Sequence, residues 1–394
     1  MTSANPIRSC KCQYAEITSA GRGAIATVAV WGPGALAVVE SSFQPAGSKP
    51  LGTAEPERIV FGCWQSDDGS VEELIVSHHD AEYVEVHCHG GVAAVRRIQQ
   101  TLAAAGCQQA DWRAWTRTQY TDAICADAHL ALCGALTERT AAVLLDQTRG
   151  ALTRAVRAIK QDLKSGNSTR ASARLAKLER WSDFGLHLVA PWRVVLAGAP
   201  NAGKSSIANA ILGYLRAIVD NQPGTTRDAV TTLTAVDGWP IELVDTAGFH
   251  DAAADLIETA GMARAAQELA RADLVLWVSD LTTEWKSPQQ VAQVVGKAPF
   301  LLVHNKADLA PVPTPDRPPG IVTSAATGAG IDDLLASIVA HIVPNAPSPG
   351  TAVPFRQHHV RILNFAIESL HANRTAQTLQ AIRQMARDAP ASDL

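Results

Sequence analysis

Gly198-Ala-Pro-Asn-Ala-Gly203-Lys204-Ser205 stands between an apolar, strand-like run at 194–197 and a helix-like run at 206–212. A glycine-rich turn between a strand and a helix is the setting of a phosphate-binding loop, where backbone N–H groups and the helix N-terminus face the phosphates. Lys204 is then expected to reach the β- and γ-phosphates, and Ser205 to offer its hydroxyl to Mg²⁺. An ordinary glycine turn is the alternative for this stretch taken alone. The stretch predicts a P-loop domain of the α/β class.

Two switch-like motifs follow the loop in the order typical of guanine-nucleotide switch proteins. Gly224-Thr225-Thr226-Arg-Asp228 supplies a mobile threonine that can report the γ-phosphate through Mg²⁺. Asp245-Thr-Ala-Gly248 ends a strand-like run at 241–244. We expect the Asp245 carboxylate near the metal and the Gly248 N–H near the γ-phosphate.

Two further motifs are suited to binding the base. Asn305-Lys306-Ala-Asp308 follows an apolar run at 300–303, and Ser324-Ala325 follows residues 320–322. The Asp308 carboxylate accepts two hydrogen bonds from N1–H and the exocyclic amino group of guanine, which adenine does not offer. Ser324-Ala325 is expected to close over the base with a backbone N–H. Each motif alone is also ordinary turn chemistry, but five in this order predict GTP rather than ATP as the ligand.

Composition indicates an intracellular enzyme with two or three domains. The chain has 394 residues and a net charge of −4, so no bulk cationic surface attracts nucleic acid and any RNA contact would be local. All seven cysteines precede residue 134, and their spacing favours reduced thiols over a zinc site. The N-terminus has no signal-peptide pattern, and no apolar stretch reaches the roughly 18 residues that a membrane span needs. We therefore predict a cytoplasmic protein with no membrane contact.

Compositional changes divide the chain into three predicted parts. Residues 1–118 alternate short β-type runs with glycine turns, and helix-like stretches such as Val92 to Ala105 separate the runs, which predicts a small α/β domain. Residues 119–190 and 345–394 are helix-like and are expected to form one helical domain in two segments. The nucleotide domain, 191–344, is predicted to be inserted between them, with a hairpin turning at Asp237-Gly238. A proline-punctuated linker at 344–354 precedes a predicted helix at 356–387.

The sequences of several motifs resemble those of the MnmE (TrmE) family of tRNA-modifying GTPases. The resemblance covers most of the chain at uneven quality and is strongest in the nucleotide domain. It rests on the P-loop with Ser206, on Gly224-Thr-Thr-Arg-Asp228 and on Asp245-Thr-Ala-Gly248, and also on Arg216-Ala-Ile-Val219, Ile257-Glu258-Thr-Ala-Gly261-Met-Ala-Arg264, Ile17-Thr-Ser-Ala-Gly21-Arg22-Gly23-Ala-Ile-Ala26 and His87-Cys-His89-Gly90-Gly91.

This resemblance implies a fold, an activity and a set of partners. It implies a folate-binding-like N-terminal dimerisation domain, a helical domain and an inserted Ras-like GTPase domain. It implies GTP hydrolysis coupled to modification of the wobble uridine of tRNA, with an MnmG-like flavoprotein as partner, a homodimer, and tRNA contacted indirectly. The implied cofactors are Mg²⁺, K⁺ and 5-formyltetrahydrofolate. Arg22 and His89 are candidates for the folate pocket, although a turn or core role is the alternative for each.

The resemblance also assigns catalytic residues. Phe249 occupies the position where classical switch GTPases place a glutamine that orients water, so Glu258 is the implied water-orienting group, assisted by Lys204 and Thr226. A solvated glutamate at a helix start is the alternative for Glu258. Asn201 and Thr225 resemble the family's K⁺ site, and a purely loop-shaping role is the alternative for Asn201. Ser205 and Thr226 are the expected Mg²⁺ ligands. The complete predicted nucleotide-binding set is Asn201, Ala202, Gly203, Lys204, Ser205, Ser206, Thr225, Thr226, Asp245, Gly248, Asn305, Lys306, Asp308, Ser324 and Ala325.

Two departures from the family leave alternatives open. Asp111-Trp112-Arg-Ala-Trp115-Thr-Arg117 replaces a segment that normally carries Gly-Glu-Phe and Asn-Gly-Lys, and the sequence stops at Leu394 without the family's cysteine-containing tail. The alternatives are a diverged regulatory GTPase without modification chemistry and a ribosome-assembly GTPase. The absence of a basic RNA-binding appendage argues against the latter.

Overall fold

The computed structural model describes residues 11–19, 21, 23–47, 49–66, 69–214, 230–245, 266–283, 285, 288–309 and 317–385. Two compact units divide the chain, Met1–Thr121 and Asp122–Leu394. The mixed α/β class predicted from the sequence is confirmed. Among the described residues, no helix combines the length and apolar character that crossing a bilayer would need.

The first unit is built on a seven-stranded sheet in the order β3-β4-β5-β6-β2-β1-β7. Its pairs are antiparallel except for the parallel pair β1–β7. Its strands are β1 Gln13–Glu16, β2 Ile25–Trp31, β3 Phe43–Pro45, β4 Ile59–Gln65, β5 Val71–Asp80, β6 Tyr83–His89 and β7 Gln108–Gln109. Its helices are α1 Ala35–Ser42, α2 Val92–Ala104 and α3 Trp112–Thr118.

Side chains that alternate along the strands form the core of this unit. One face of β2 and β6, including Val28 and Val86, packs with residues of α1 and α2. The opposite face of β2 carries Ala29 and Trp31 in a smaller cluster, against which Trp112 and Trp115 of α3 pack. The two tryptophans therefore form the edge of a core.

Cys12 and Cys107 are joined by a disulfide, so the prediction that the cysteines are reduced thiols is wrong for this pair. That prediction rested on spacing along the chain. The parallel pairing of β1 with β7 sets Gln13 opposite Gln108, and it brings the Cα atoms of the two cysteines to 5.1 Å. Cys63, Cys88, Cys125 and Cys133 are free thiols.

The second unit combines helices with a six-stranded sheet in the order β13-β12-β11-β8-β10-β9, parallel except for the pair β9–β10. The strands are β8 Trp192–Gly198, β9 Val230–Val236, β10 Trp239–Asp245, β11 Leu274–Asp280, β12 Phe300–Asn305 and β13 Ile321–Val322. The helices are α4 Ala123–Leu132, α5 Glu138–Thr148, α6 Ala151–Lys164, α7 Ser168–Glu179, α8 Ser182–Leu186, α9 Lys204–Tyr214, α10 Pro288–Val295, α11 Ile331–Ile342, α12 Gln357–His371 and α13 Thr375–Met385.

The β9–β10 hairpin turns where the sequence predicts it. Asp237 and Gly238 both have positive φ, 46° and 75°, as a two-residue turn matched to the twist of the strands requires. The pair Val236–Trp239 closes the hairpin, and β10 also pairs with β8. The hairpin thus places the end of β10 beside the end of β8.

Helices from before and after the sheet share one core. Side chains of α4 to α7, such as Leu152 and Leu175, cluster with Leu363 of α12 and Ile382 of α13. The C-terminal segment is two helices rather than the one predicted, because Asn373 adopts a left-handed φ of 57° that ends α12. The domain boundaries at 118/119, 190/191 and 344/345 remain predictions.

Candidate functional site

The loop between β8 and α9 passes close to β12. Asn201 and Gly203 both adopt positive φ, 61° and 92°, so the backbone turns sharply before α9 starts at Lys204. A Cβ atom on Gly203 would collide with the side-chain amide of Asn305. Only glycine fits here, because the backbone approaches another motif closely and has a φ that L residues rarely adopt.

Lys204 folds back over this loop. Its side chain is only 5% exposed, and Nζ donates hydrogen bonds to the carbonyl oxygens of Gly198 at 3.2 Å and Ala199 at 3.0 Å. Burial lowers the pKa of Lys204, and the nearby Asp245 carboxylate acts in the opposite direction. The ammonium is therefore held where a loop-bound phosphate would find a positive charge.

Ser205 and Asp245 meet beside the loop. The Ser205 Oγ donates to Asp245 Oδ2 at 2.5 Å, and Asp245 is 7% exposed at the end of β10. β10 and β8 are parallel neighbours, so their carboxyl ends lie at one edge of the sheet, where ligands bind in α/β folds. A hydroxyl and a carboxylate are oxygen ligands of the kind that Mg²⁺ takes, directly or through water.

Asn305 connects the phosphate loop to the predicted base-binding loop. Its Nδ2 donates to the carbonyl oxygen of Ala202 at 3.1 Å, and its Oδ1 accepts from the backbone N–H of Ala325 at 3.1 Å. Asn305 is 2% exposed, so both contacts are shielded from water. One side chain thus fixes the spacing between two of the predicted motifs.

Lys306 and Asp308 follow Asn305 with different partners. Lys306, at a φ of 65°, donates through Nζ to Asp280 Oδ2 at 2.7 Å. Burial tends to raise the pKa of Asp280, but hydrogen bonds from Lys306 and Thr282 outweigh it, and the pKa is lowered. Asp308 is exposed, and its Oδ1 accepts a hydrogen bond from the buried Ser324 Oγ at 2.6 Å.

Asp280 was missed by the sequence reasoning. It ends β11, the strand between β8 and β12 in the sheet. The sequence held a signal for it: a carboxylate two residues after an apolar run at 274–278 indicates the carboxyl edge of a parallel sheet, where ligand-binding residues gather.

The structure brings the predicted phosphate-loop and base-binding residues together, whereas five other predicted site residues lie outside the described part of the chain. Lys204, Ser205, Asp245, Asn305, Lys306, Asp308, Ser324 and Ala325 all lie at the β8, β10 and β12 strand ends or in the loops that these ends contact. Asn201 and Ser206 are exposed at the loop and on α9, and Ala202 is buried. Thr225, Thr226, Gly248, Glu258 and Arg22 lie outside the described residues.

The two N-terminal motifs of the first unit meet in space. The Gly90 N–H donates to the Ala24 carbonyl oxygen at 3.1 Å, and a Cβ on Gly90 would collide with the carbonyl oxygen of Gly23. His89 has an exposed ring whose Nδ1 lies 3.0 Å from Glu72 Oε1. His87 instead places Nδ1 3.0 Å from Thr27 Oγ1.

Models of two known protein families match this chain, one in each unit. A family model described as "GTP-binding protein TrmE N-terminus" matches residues 13–122, and one described as "50S ribosome-binding GTPase" matches residues 193–306.

Relatives at about 30% identity span most of the chain. The tRNA modification GTPase MnmE of Akkermansia muciniphila is 31% identical over 362 residues, covering 82% of this chain and 79% of the relative. The protein of the same name from Chloroflexus aurantiacus is 32% identical over 421 residues, covering 96% of this chain and 91% of the relative. A solved structure of Era in complex with MgGDPNP and 16S ribosomal RNA nucleotides covers 40% of this chain and 58% of its own at 25% identity, with a TM-score of 0.32. The Chloroflexus match extends across both units.

Proposed function

Because this chain belongs to the MnmE family of tRNA modification GTPases, we propose that it couples GTP hydrolysis to modification of the wobble uridine of tRNA, together with an MnmG-like flavoprotein. The chain carries a GTPase domain and is a GTP-hydrolysing enzyme. The observation that carries the GTPase part of the proposal is the link made by Asn305 between the phosphate loop and the predicted base-binding loop. This link supports one site for the triphosphate and the base, because it ties the two predicted binding loops together.

Binding and hydrolysis of GTP use this chain's residues in distinct ways. Lys204 holds positive charge at the β- and γ-phosphates, and Asp308 selects guanine. Ser205 and Thr226 would hold Mg²⁺, and Asp245 would support the site through its hydrogen bond with Ser205. A bound Mg²⁺ neutralises charge that develops on the phosphates. The Ser205–Asp245 hydrogen bond supports this assignment, because it places two oxygen atoms that can bind a metal side by side. Glu258 orients the attacking water.

The first unit is proposed to dimerise and to bind 5-formyltetrahydrofolate as a one-carbon donor. Support comes from the contact of Gly90 with the segment Gly23-Ala24, which joins the two motifs that carry Arg22 and His89. We propose Arg22 and His89 as pocket residues. The protein is proposed to act in the cytoplasm as a homodimer, with tRNA contacted indirectly.

Modification of tRNA is the test of this function. The gene would be supplied, with its cognate flavoprotein, to a bacterium that lacks its own MnmE, and tRNA nucleosides would be analysed. Restored wobble-uridine modification is expected, and it should be lost with Lys204→Ala. A soluble, GTP-hydrolysing protein that restores no modification would contradict the proposal and favour a regulatory GTPase.

Glu258→Ala should separate binding from catalysis. If Glu258 orients water only in the transition state, its loss should lower kcat for GTP by about 10²-fold and leave the Kd for GTP nearly unchanged. Single-turnover hydrolysis and nucleotide titration measure the two quantities. An unchanged kcat would assign Glu258 to a solvated helix start.

K⁺ should accelerate hydrolysis relative to Na⁺ at equal ionic strength. We propose that Asn201 and Thr225 hold K⁺ against the phosphates, where Asn201 stands exposed on the loop at positive φ. The measurement is kcat in each salt for the parent and for Asn201→Ala. Asn201→Ala should lose the K⁺ response, and retention of the parent's response would remove Asn201 from the cation site.

A further inference from the structure

Asp127, His358 and His359 form a buried cluster that has no role in the nucleotide site. Asp127 lies on α4, before the sheet in the chain, and the two histidines lie in the first turn of α12, after the sheet. The three residues are 2%, 6% and 0% exposed, respectively. The cluster therefore joins chain segments on either side of the nucleotide-binding sheet.

The three side chains converge on a common point. Asp127 Oδ2 lies 3.2 Å from His358 Nε2 and 3.7 Å from His359 Nε2. Each residue offers one ligand atom, and these three atoms all lie within 4.8 Å of one another. Two ligands held at roughly 2.0–2.1 Å from a tetrahedral Zn²⁺ are about 3.3 Å apart. The two aspartate–histidine distances thus approach those of a tetrahedral metal site, and the distance between the ligand atoms of His358 and His359 is no more than 4.8 Å.

His359 supplies a second, independent observation. Its ring is fully buried, and within the part of the chain that the structure describes neither ring nitrogen makes a hydrogen bond. A buried polar group without such a partner is costly and uncommon in folded proteins.

The donor set and the local charge narrow the choice of ion. Two imidazoles and one carboxylate suit Zn²⁺ and similar transition metals, whereas Mg²⁺ and Ca²⁺ prefer oxygen ligands. Arg356 lies close by and donates to the Asp127 carbonyl oxygen at 3.5 Å. Its positive charge acts against any cation, so strong nitrogen–metal bonds are needed to hold one.

We propose that Asp127, His358 and His359 bind a divalent transition-metal ion of the zinc type, with water completing a four-coordinate site. The ion would cross-link α4 to α12 and so stabilise the shared helical core. This site is independent of the proposed function in tRNA modification.

The test uses the full-length protein with any affinity tag removed, stripped by a chelator and kept free of nucleotide. Elemental analysis after incubation with Zn²⁺ should find about one ion per chain, and Co²⁺ should give the visible absorption bands of a four-coordinate site. Zn²⁺ should raise the melting temperature by about 5 °C or more, and excess Mg²⁺ should not.

Variants localise the ion. Asp127→Asn and His359→Gln should lose the Co²⁺ bands and the thermal shift, whereas His371→Gln, an exposed histidine at the far end of α12, should keep both. Absence of bound metal and of Co²⁺ bands in the parent protein would overturn the proposal, even if the variants fail to fold. Equal Co²⁺ bands in the parent, Asp127→Asn and His359→Gln would overturn it as well.

Discussion

Lys204→Ala is expected to lower kcat/KM for GTP by about 10²-fold or more, since it removes a preorganised positive charge from the β- and γ-phosphates. The ammonium is buried and held by two loop carbonyl oxygens, so the loop itself fixes its position. No other side chain of the phosphate loop 198–205 carries a positive charge. The measurement is GTP turnover together with nucleotide titration.

Asn209→Ala is the matched control for Lys204→Ala, because Asn209 is exposed on the same helix, α9. It should hydrolyse GTP at the parent's rate. Removing Lys204 also leaves the carbonyl oxygens of Gly198 and Ala199 without this donor, so melting temperatures of both variants must accompany the kinetics. A folded Lys204→Ala protein with the parent's kcat/KM would remove this lysine from phosphate binding.

The phosphate loop could be predicted from sequence because its determinants are local. An apolar run before Gly198 and a helix-like run after Ser205 specify strand, turn and helix, and the structure ends β8 at Gly198 and starts α9 at Lys204. The hairpin at Asp237-Gly238 was equally predictable, since its turn residues carry the required positive φ. Both features depend on neighbours within a few residues.

Features that depend on contacts between distant segments could not be predicted in this way. The Cys12–Cys107 disulfide requires the parallel pairing of β1 with β7, and the Asp127 cluster requires α4 to pack beside α12. Asn305 was predicted as part of a base-binding motif, but its contact with the Ala202 carbonyl oxygen appears only once β12 lies near the loop. The assignments of Thr225, Thr226, Gly248, Glu258 and Arg22 remain predictions.

Asp308→Asn should weaken GTP binding by about 10²-fold or more and favour xanthosine triphosphate. The parent carboxylate accepts from N1–H and the amino group of guanine, and charge-assisted hydrogen bonds are worth roughly 1.5–3 kcal/mol each. An asparagine amide offers one acceptor and one donor, which match N1–H and the 2-oxo group of xanthine. Competition titrations with GTP, XTP and ATP measure the change.

The contacts around Asp308 make this substitution a clean test of base selection. Ser324 Oγ donates to Asp308 Oδ1 at 2.6 Å, and the asparagine carbonyl oxygen can accept the same hydrogen bond. The 324–325 loop should therefore keep its position, so that the change in affinity reports the base contact. Asp332→Asn, an exposed carboxylate in the first turn of α11, is the charge-matched control and should leave nucleotide preference unchanged. Equal affinity of the parent protein for GTP and ATP would show that Asp308 does not select guanine, because adenine offers neither of the two donors that a carboxylate needs.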